Sequence, residues 1–227
     1  MGRYKRERAI HKSRHDPITS ELSVVINKRI AGTLREHGND YLSFAYDPSY
    51  HGPWLSVCLP NVDGAEHLDL DVRPVFEGLL PDNPQVRVEM AHSANLNSVD
   101  VFTLLRHFGK DLPGAVQICD PTETTSVLEE TGQYIPIPDS EIAKRLIGAI
   151  DDSSPVWHGD DETWSLGGNQ GKFALARIDN QWMRCEGSYP STHILKPGVS
   201  GMPLQALVEF ATMQTADHVG LRVSKTS

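Results

Sequence analysis

The residues with chemistry to offer gather between Trp164 and Pro197. Gly167-Gly168-Asn169-Gln170-Gly171-Lys172 is a glycine-rich turn, and Phe173-Ala174-Leu175-Ala176-Arg177-Ile178 follows it as an extended run. A polar turn, Asp179-Asn180, comes next, and Ser191-Thr192-His193-Ile194-Leu195 then delivers Lys196. Backbone N–H groups in a glycine turn can cradle phosphates, because no Cβ blocks close approach. A strand-borne lysine adds the positive charge that nucleotide phosphates need. Together they form the layout of a kinase-type nucleotide site. The same glycines also suit an ordinary hairpin turn, since short glycine motifs are weak signals.

A Walker A loop does not fit. Only three residues separate Gly167 from Gly171, and Phe173 stands where a Ser or Thr would bind magnesium. The residues after Lys172 alternate Phe173 and Leu175 with Ala and Arg, as a half-buried strand does, where a Walker A loop would open a helix.

Two blocks carry a family resemblance: Ser165-Leu166-Gly167-Gly168-Asn169-Gln170-Gly171-Lys172, and Tyr189-Pro190-Ser191-Thr192-His193-Ile194-Leu195-Lys196-Pro197. In type and in separation they resemble the HipA family of bacterial toxin kinases. Further resemblance lies upstream, in Leu42–Pro48, in Leu55–Pro60, in the Phe76-Glu77-Gly78-Leu79-Leu80-Pro81 block and in Gly114-Ala115-Val116-Gln117. The resemblance implies a serine/threonine protein kinase of a toxin–antitoxin system, using ATP and Mg2+. It also implies a HipB-like antitoxin as partner, with DNA reached only indirectly through it.

By that resemblance, Gly167, Gly168, Asn169 and Gln170 would aim N–H groups at the phosphates. Lys196 would neutralise phosphate oxygens, and Glu209 would hold that lysine in place. Lys172, after Gly171, would add a second positive charge or cover the loop. Ser165 corresponds to the serine that these kinases phosphorylate on themselves. The acceptor-orienting aspartate and the metal-holding groups lie, in the family, well beyond the lysine strand. Asp217 is the one aspartate after Lys196 in this sequence. The expectation is therefore a kinase truncated before its catalytic carboxyl lobe and inactive alone, with no catalytic and no metal-binding residue assigned. The alternative is a non-catalytic binding or regulatory module of a split HipA-type system.

The elements that must position these residues follow from pattern. The 227 residues carry a net charge of -9, which argues against a large nucleic-acid surface. No apolar run approaches a membrane span, and three scattered cysteines (Cys58, Cys119, Cys185) suggest neither a metal site nor a disulfide framework, so a cytoplasmic protein is expected. Residues 1–20 are basic and aperiodic, and are expected to form a disordered tail. Residues 21–119 are expected to be a HipA-type subdomain, residues 120–161 a linker and helix, and residues 162–227 a partial kinase small lobe.

Within 21–119 the runs at 22–26, 30–34 and 41–46 predict a three-stranded meander, with a fourth strand at Leu55–Leu59. Helices are expected over 71–81, over 84–94 and over 99–108 with Ser98 as cap, and a strand returns at 112–118. The Thr- and Glu-rich stretch 120–133 reads as the connection between subdomains. A helix over 141–150 follows, and His158–Glu162 reads as an acidic surface turn. The last helix, over 203–219, has an apolar side at Leu204, Leu207, Val208 and Ala211 that is expected to be exposed. The fold class is α+β: a β-rich amino-terminal subdomain with helices, then a partial kinase small lobe.

Overall fold

The computed structural model describes residues 17–62, 64–150, 167, 171–198, 201–202 and 204–226. It is an α+β protein built on two antiparallel sheets. The first is a five-stranded sheet of β1 (Ile18–Ile26), β2 (Arg29–His37), β3 (Tyr41–Tyr46), β4 (Glu66–Leu68) and β5 (Val116–Cys119), in the order β4-β3-β2-β1-β5. The predicted meander is present. Asn27 and Lys28 both take left-handed backbone angles between β1 and β2, which is the geometry a two-residue hairpin turn needs to match strand twist. The expected tail over 1–20 overlaps β1, whose pairing with β2 begins at Ile18 opposite His37. Residues 1–16 lie outside the described residues.

Three helices cover one face of this sheet: α1 (Asp69–Glu77), α2 (Pro84–Ser93) and α3 (Val101–Phe108). Their apolar residues recur at helical spacing, so each buries one stripe. Val72, Phe76, Leu80, Met90, Leu104, Leu105 and Phe108 join Leu22, Val24, Leu34, Leu42 and Phe44 in one core. Asn83 caps α2 by accepting the Gln85 N–H at 2.9 Å, with Pro84 at the first helical position. The α3 cap is Asp100, which accepts the Thr103 N–H at 2.8 Å. Ser98, the expected cap, instead accepts the Asp100 N–H at 3.1 Å and so orients the residue that caps.

The fourth strand expected at Leu55–Leu59 is absent, and that segment holds only an isolated bridge between Ser56 and Leu59. The Tyr46 hydroxyl accepts the Leu55 N–H and donates to the Leu59 carbonyl, both at 2.8 Å. A side chain thus satisfies the backbone groups that a strand partner would have taken. Leu59 is fully buried all the same. The fourth strand is β4, beside β3.

The stretch expected as a linker is ordered. Asp120 accepts the Thr122 N–H at 3.0 Å, and a short helix follows, α4 (Thr124–Leu128). Val127 packs on Val25 and Cys119 of the first sheet, and Thr124 Oγ1 donates to Ser23 Oγ at 2.8 Å. The composition that suggested a linker serves here as turn and cap chemistry. Strand β6 (Gly132–Pro136) then opens the second sheet, and α5 (Asp139–Ile150) comes after it.

The second sheet comprises β6, β7 (Phe173–Ile178), β8 (Gln181–Gly187) and β9 (His193–Leu195), in the order β6-β8-β7-β9. Asp179 and Asn180, both left-handed, turn β7 into β8 as the sequence suggested. Phe173 and Leu175 are buried with Ile142 of α5, and Leu146, Trp182 and Leu195 pack around them. Ala174 and Ala176 are buried too, so β7 is covered on both faces where a half-buried strand was expected. The last helix, α6 (Gln205–His218), buries no residue. Leu204, Leu207 and Val208 are exposed, in line with the expectation for this element.

Candidate functional site

Lys172 enters β7 and Lys196 leaves β9, and these two strands pair, with Phe173 opposite Leu195. Antiparallel pairing therefore sets the two lysines side by side at one end of the sheet. Lys172 is half-buried, and its ammonium is held below its ordinary value by that burial first and by the Lys196 charge second. The carboxylate of Asp82, from the turn between α1 and α2, opposes both effects. Two cations converging at one end of a sheet, with one nearby acid, make a locus that favours a polyanion.

The two described glycines of the turn owe their identity to space. A Cβ on Gly167 would overlap the Gly78 carbonyl oxygen and stand 3.5 Å from the Leu80 carbonyl oxygen. A Cβ on Gly171 would overlap the Ala149 carbonyl oxygen near the end of α5. Glycine is required at both places for close backbone approach, one of its two structural uses. Ser165, Gly168, Asn169 and Gln170 lie outside the described residues, as does the His158–Glu162 stretch.

Lys196 and Glu209 line one cleft of about 510 Å³ together with Pro197, Gln205 and Val208. Among the described residues no ion pair joins them, and both are exposed. The structure thus brings Lys172, Lys196 and Asp82 together, and leaves Glu209 on the facing helix across the cleft.

The Ser-Thr-His block is structural in its middle members. The Thr192 N–H donates to the Leu175 carbonyl at 3.1 Å, and Thr192 Oγ1 accepts the Arg177 N–H at 2.9 Å. The same hydroxyl lies 2.7 Å from His193 Nδ1. The His193 ring meets the Trp182 indole edge-on at 5.2 Å. These contacts fix β9 against β7, and Lys196 follows from that register.

Two residues that the site reading did not single out reach this segment from the amino-terminal block. Asp111 Oδ2 accepts the Ser191 N–H at 3.1 Å. Gln117 Nε2 donates to the Lys110 carbonyl at 2.9 Å and to the Ser188 carbonyl at 3.3 Å. Burial pushes the Asp111 carboxyl up, against its hydrogen bonds with Ser191. Gln117 belongs to the Gly-Ala-Val-Gln stretch that carries the resemblance, so the motif was visible while its target was not. Among the described residues, one carboxylate group (Glu36, Asp40 and Asp100) is compact enough to share a cation. Arg73 already answers Asp40, at 3.5 Å.

The fold and its contacts define an α+β protein whose first sheet, backed by α1, α2 and α3, forms the larger core. Residues 22–119 match the HipA N-terminal domain, and this amino-terminal region is of the HipA family. A protein of Sinorhizobium fredii (strain NBRC 101917 / NGR234) named "Putative kinase Y4mE" is 29% identical over 213 residues, which cover 89% of this chain and 49% of the relative. The chain spans about half the length of that curated relative. Among the described residues, no helix is long and apolar enough to cross a membrane.

Proposed function

We propose that these 227 residues form the phosphate-binding part of a HipA-type serine/threonine toxin kinase: the HipA N-terminal domain followed by a kinase small lobe made of β6 to β9. The observation that carries this reading is the pairing of β7 with β9, which puts Lys172 beside Lys196 at one end of the second sheet. Crowding two ammonium groups and burying one is unfavourable unless an anion answers them. The similarity to a relative named as a kinase supports the same reading.

The ligand is ATP with Mg2+. Lys172 and Lys196 would hold its phosphates, with backbone N–H groups of Gly167, Gly168, Asn169 and Gln170 around them. The nucleotide would supply the phosphoryl group, and Ser165 would be an acceptor serine in this system. Glu209 would close on Lys196 when the cleft between β9 and α6 is filled. The partner is a HipB-like antitoxin in the cytoplasm, and DNA is reached through that partner.

The residues after Lys196 include one aspartate, Asp217, exposed near the end of α6. Phosphoryl transfer needs an acceptor-orienting carboxylate and metal-holding groups in fixed positions. These residues alone therefore bind nucleotide weakly and transfer no phosphate. Calorimetry with a non-hydrolysable ATP analogue and magnesium is expected to give a Kd no tighter than about 1 mM, or roughly -4 kcal/mol. That binding is lost in Lys196→Ala. Intact mass spectrometry after incubation with ATP is expected to show no added phosphate. Micromolar binding, or phosphate on Ser165 that depends on Lys196, overturns the inactivity. Binding that is unchanged in Lys196→Ala overturns the site.

A further inference from the structure

Lys196 follows a three-residue strand whose register against β7 is set by the Thr192 and His193 contacts, and the segment that leads into that strand is fixed as well. That segment is 188–191, between β8 and β9. Its backbone is held from the HipA N-terminal domain at two points. The Ser191 N–H is accepted by Asp111 at 3.1 Å, and the Ser188 carbonyl takes a hydrogen bond from Gln117 at 3.3 Å. Gln117 is itself aimed by its bond to the Lys110 carbonyl, one residue before Asp111. Asp111 and Gln117 flank the turn that feeds β5, and β5 is paired to β1 along Ser23–Ile26. The two side chains therefore stand on the rigid core of the first sheet.

Ser188 adds a second layer. Its hydroxyl lies 3.3 Å from the Ser126 carbonyl and 3.2 Å from the Thr131 carbonyl, and its N–H donates to Thr131 at 3.1 Å. Ser188 is buried. The loop that leads to Lys196 is thus built into the junction between the two sheets. Gly167 lies against the Gly78 and Leu80 carbonyls, and the Asp82 carboxylate acts on Lys172. Each half of the proposed phosphate site therefore rests on the HipA N-terminal domain.

We infer that Asp111 and Gln117 are positioning residues of the phosphate site, clasping segment 188–191 so that β9 presents Lys196 beside Lys172. This rests on the nucleotide reading given above. The HipA N-terminal domain then acts as the template that sets the spacing between the glycine turn and Lys196. Neither residue touches phosphate. A change in the turn 110–117 reaches Lys196 through two hydrogen bonds and one short strand.

The test uses the full chain with two readouts. The first is amide hydrogen exchange, which reports local opening. The second is acylation of Lys172 and Lys196 by an acyl-phosphate derivative of ATP at millimolar concentration, which reads lysine position without requiring catalysis. In Asp111→Ala/Gln117→Ala, exchange at Ser191–Leu195 is expected to rise about tenfold, the factor that corresponds to losing roughly one to two hydrogen bonds. Labelling of Lys196 falls in parallel, while Leu22–Ile26 stay protected and report an intact first sheet. Asp111→Asn keeps an acceptor oxygen for the Ser191 N–H, so labelling in that variant stays at the wild-type level.

Unchanged exchange at Ser191–Leu195 in the double variant overturns the clasp. Raised exchange with full labelling of Lys196 overturns the positioning role. No nucleotide-dependent labelling of the unsubstituted chain overturns the nucleotide reading and the positioning role built on it, and the exchange data then report the clasp by themselves.

Discussion

Gly167 lies against the carbonyl oxygen of Gly78, and a side chain on Gly167 would overlap that oxygen. Gly78 ends α1 inside the Phe76–Pro81 block, so the first glycine of the turn is docked on the HipA N-terminal domain. A methyl group at Gly167 must push the turn off that surface. Gly167→Ala is expected to destabilise the chain by about 1–3 kcal/mol, as overpacking of a close contact does. Urea unfolding checks this through a lower midpoint at constant slope. A midpoint equal to the parent would mean that the turn is free of the 78–80 carbonyls.

The lysine pair gives a pH-dependent signature. Burial, then the Lys196 charge, holds Lys172 below its ordinary value of 10.5, with Asp82 opposing. A lowered base binds fewer protons in the folded chain than in the unfolded one, so its contribution to stability rises with pH between the two values. Lys172→Met is expected to melt higher than the parent near neutral pH, and the gap should close as pH climbs from the lowered value toward 10.5. Asp82→Asn should lower the melting temperature of the parent and leave Lys172→Met unaffected. If Asp82→Asn has the same effect in both backgrounds, the two side chains are not coupled.

Asp111 has the opposite sign. Burial raises its carboxyl above the ordinary 3.8, and the Ser191 hydrogen bonds pull it down. A raised acid contributes stability that is complete below the unfolded value and lost as pH rises through the folded one. Asp111→Asn should therefore melt higher than the parent near neutral pH, with the difference vanishing toward the acid end. Calorimetric scans across that range decide it. A lower melting temperature for the Asn variant at neutral pH would show that the charged carboxylate itself stabilises the fold.

The 120–133 segment should resist proteolysis. Glu123 is paired with Lys110 at 2.6 Å and Glu130 with Lys28 at 2.8 Å, and Val127 is buried between them. A protease specific for glutamate should cut Glu123, Glu129 and Glu130 only as fast as the chain unfolds globally, because nicking concentrates where backbone is exposed and unbonded. Rapid cutting there in the native state, releasing an intact amino-terminal fragment, would restore the linker reading.

Sequence alone determined the elements whose signal is local. The alternation of the 41–46 run, the Asn27-Lys28 and Asp179-Asn180 turns and the apolar stripe Val101, Leu104, Leu105 and Phe108 are each written in a short window. Hydrophobic period and turn chemistry act over that same range. The two motif blocks were legible for the same reason, and they placed Lys172 at the end of the glycine turn and Lys196 after an extended run. Tertiary structure decided the rest. Leu55–Leu59 has strand composition, yet the Tyr46 hydroxyl claims its backbone groups, so it never joins the sheet. The motif did not record that Gly167 and Gly171 also stand where backbone meets backbone, against the Gly78 and Ala149 carbonyls. Asp111 and Ser191 are 80 residues apart, and Gln117 and Ser188 are 71 apart. No local period records a hydrogen bond across such a distance, because only the docking of the 188–191 segment on the 110–117 segment creates it.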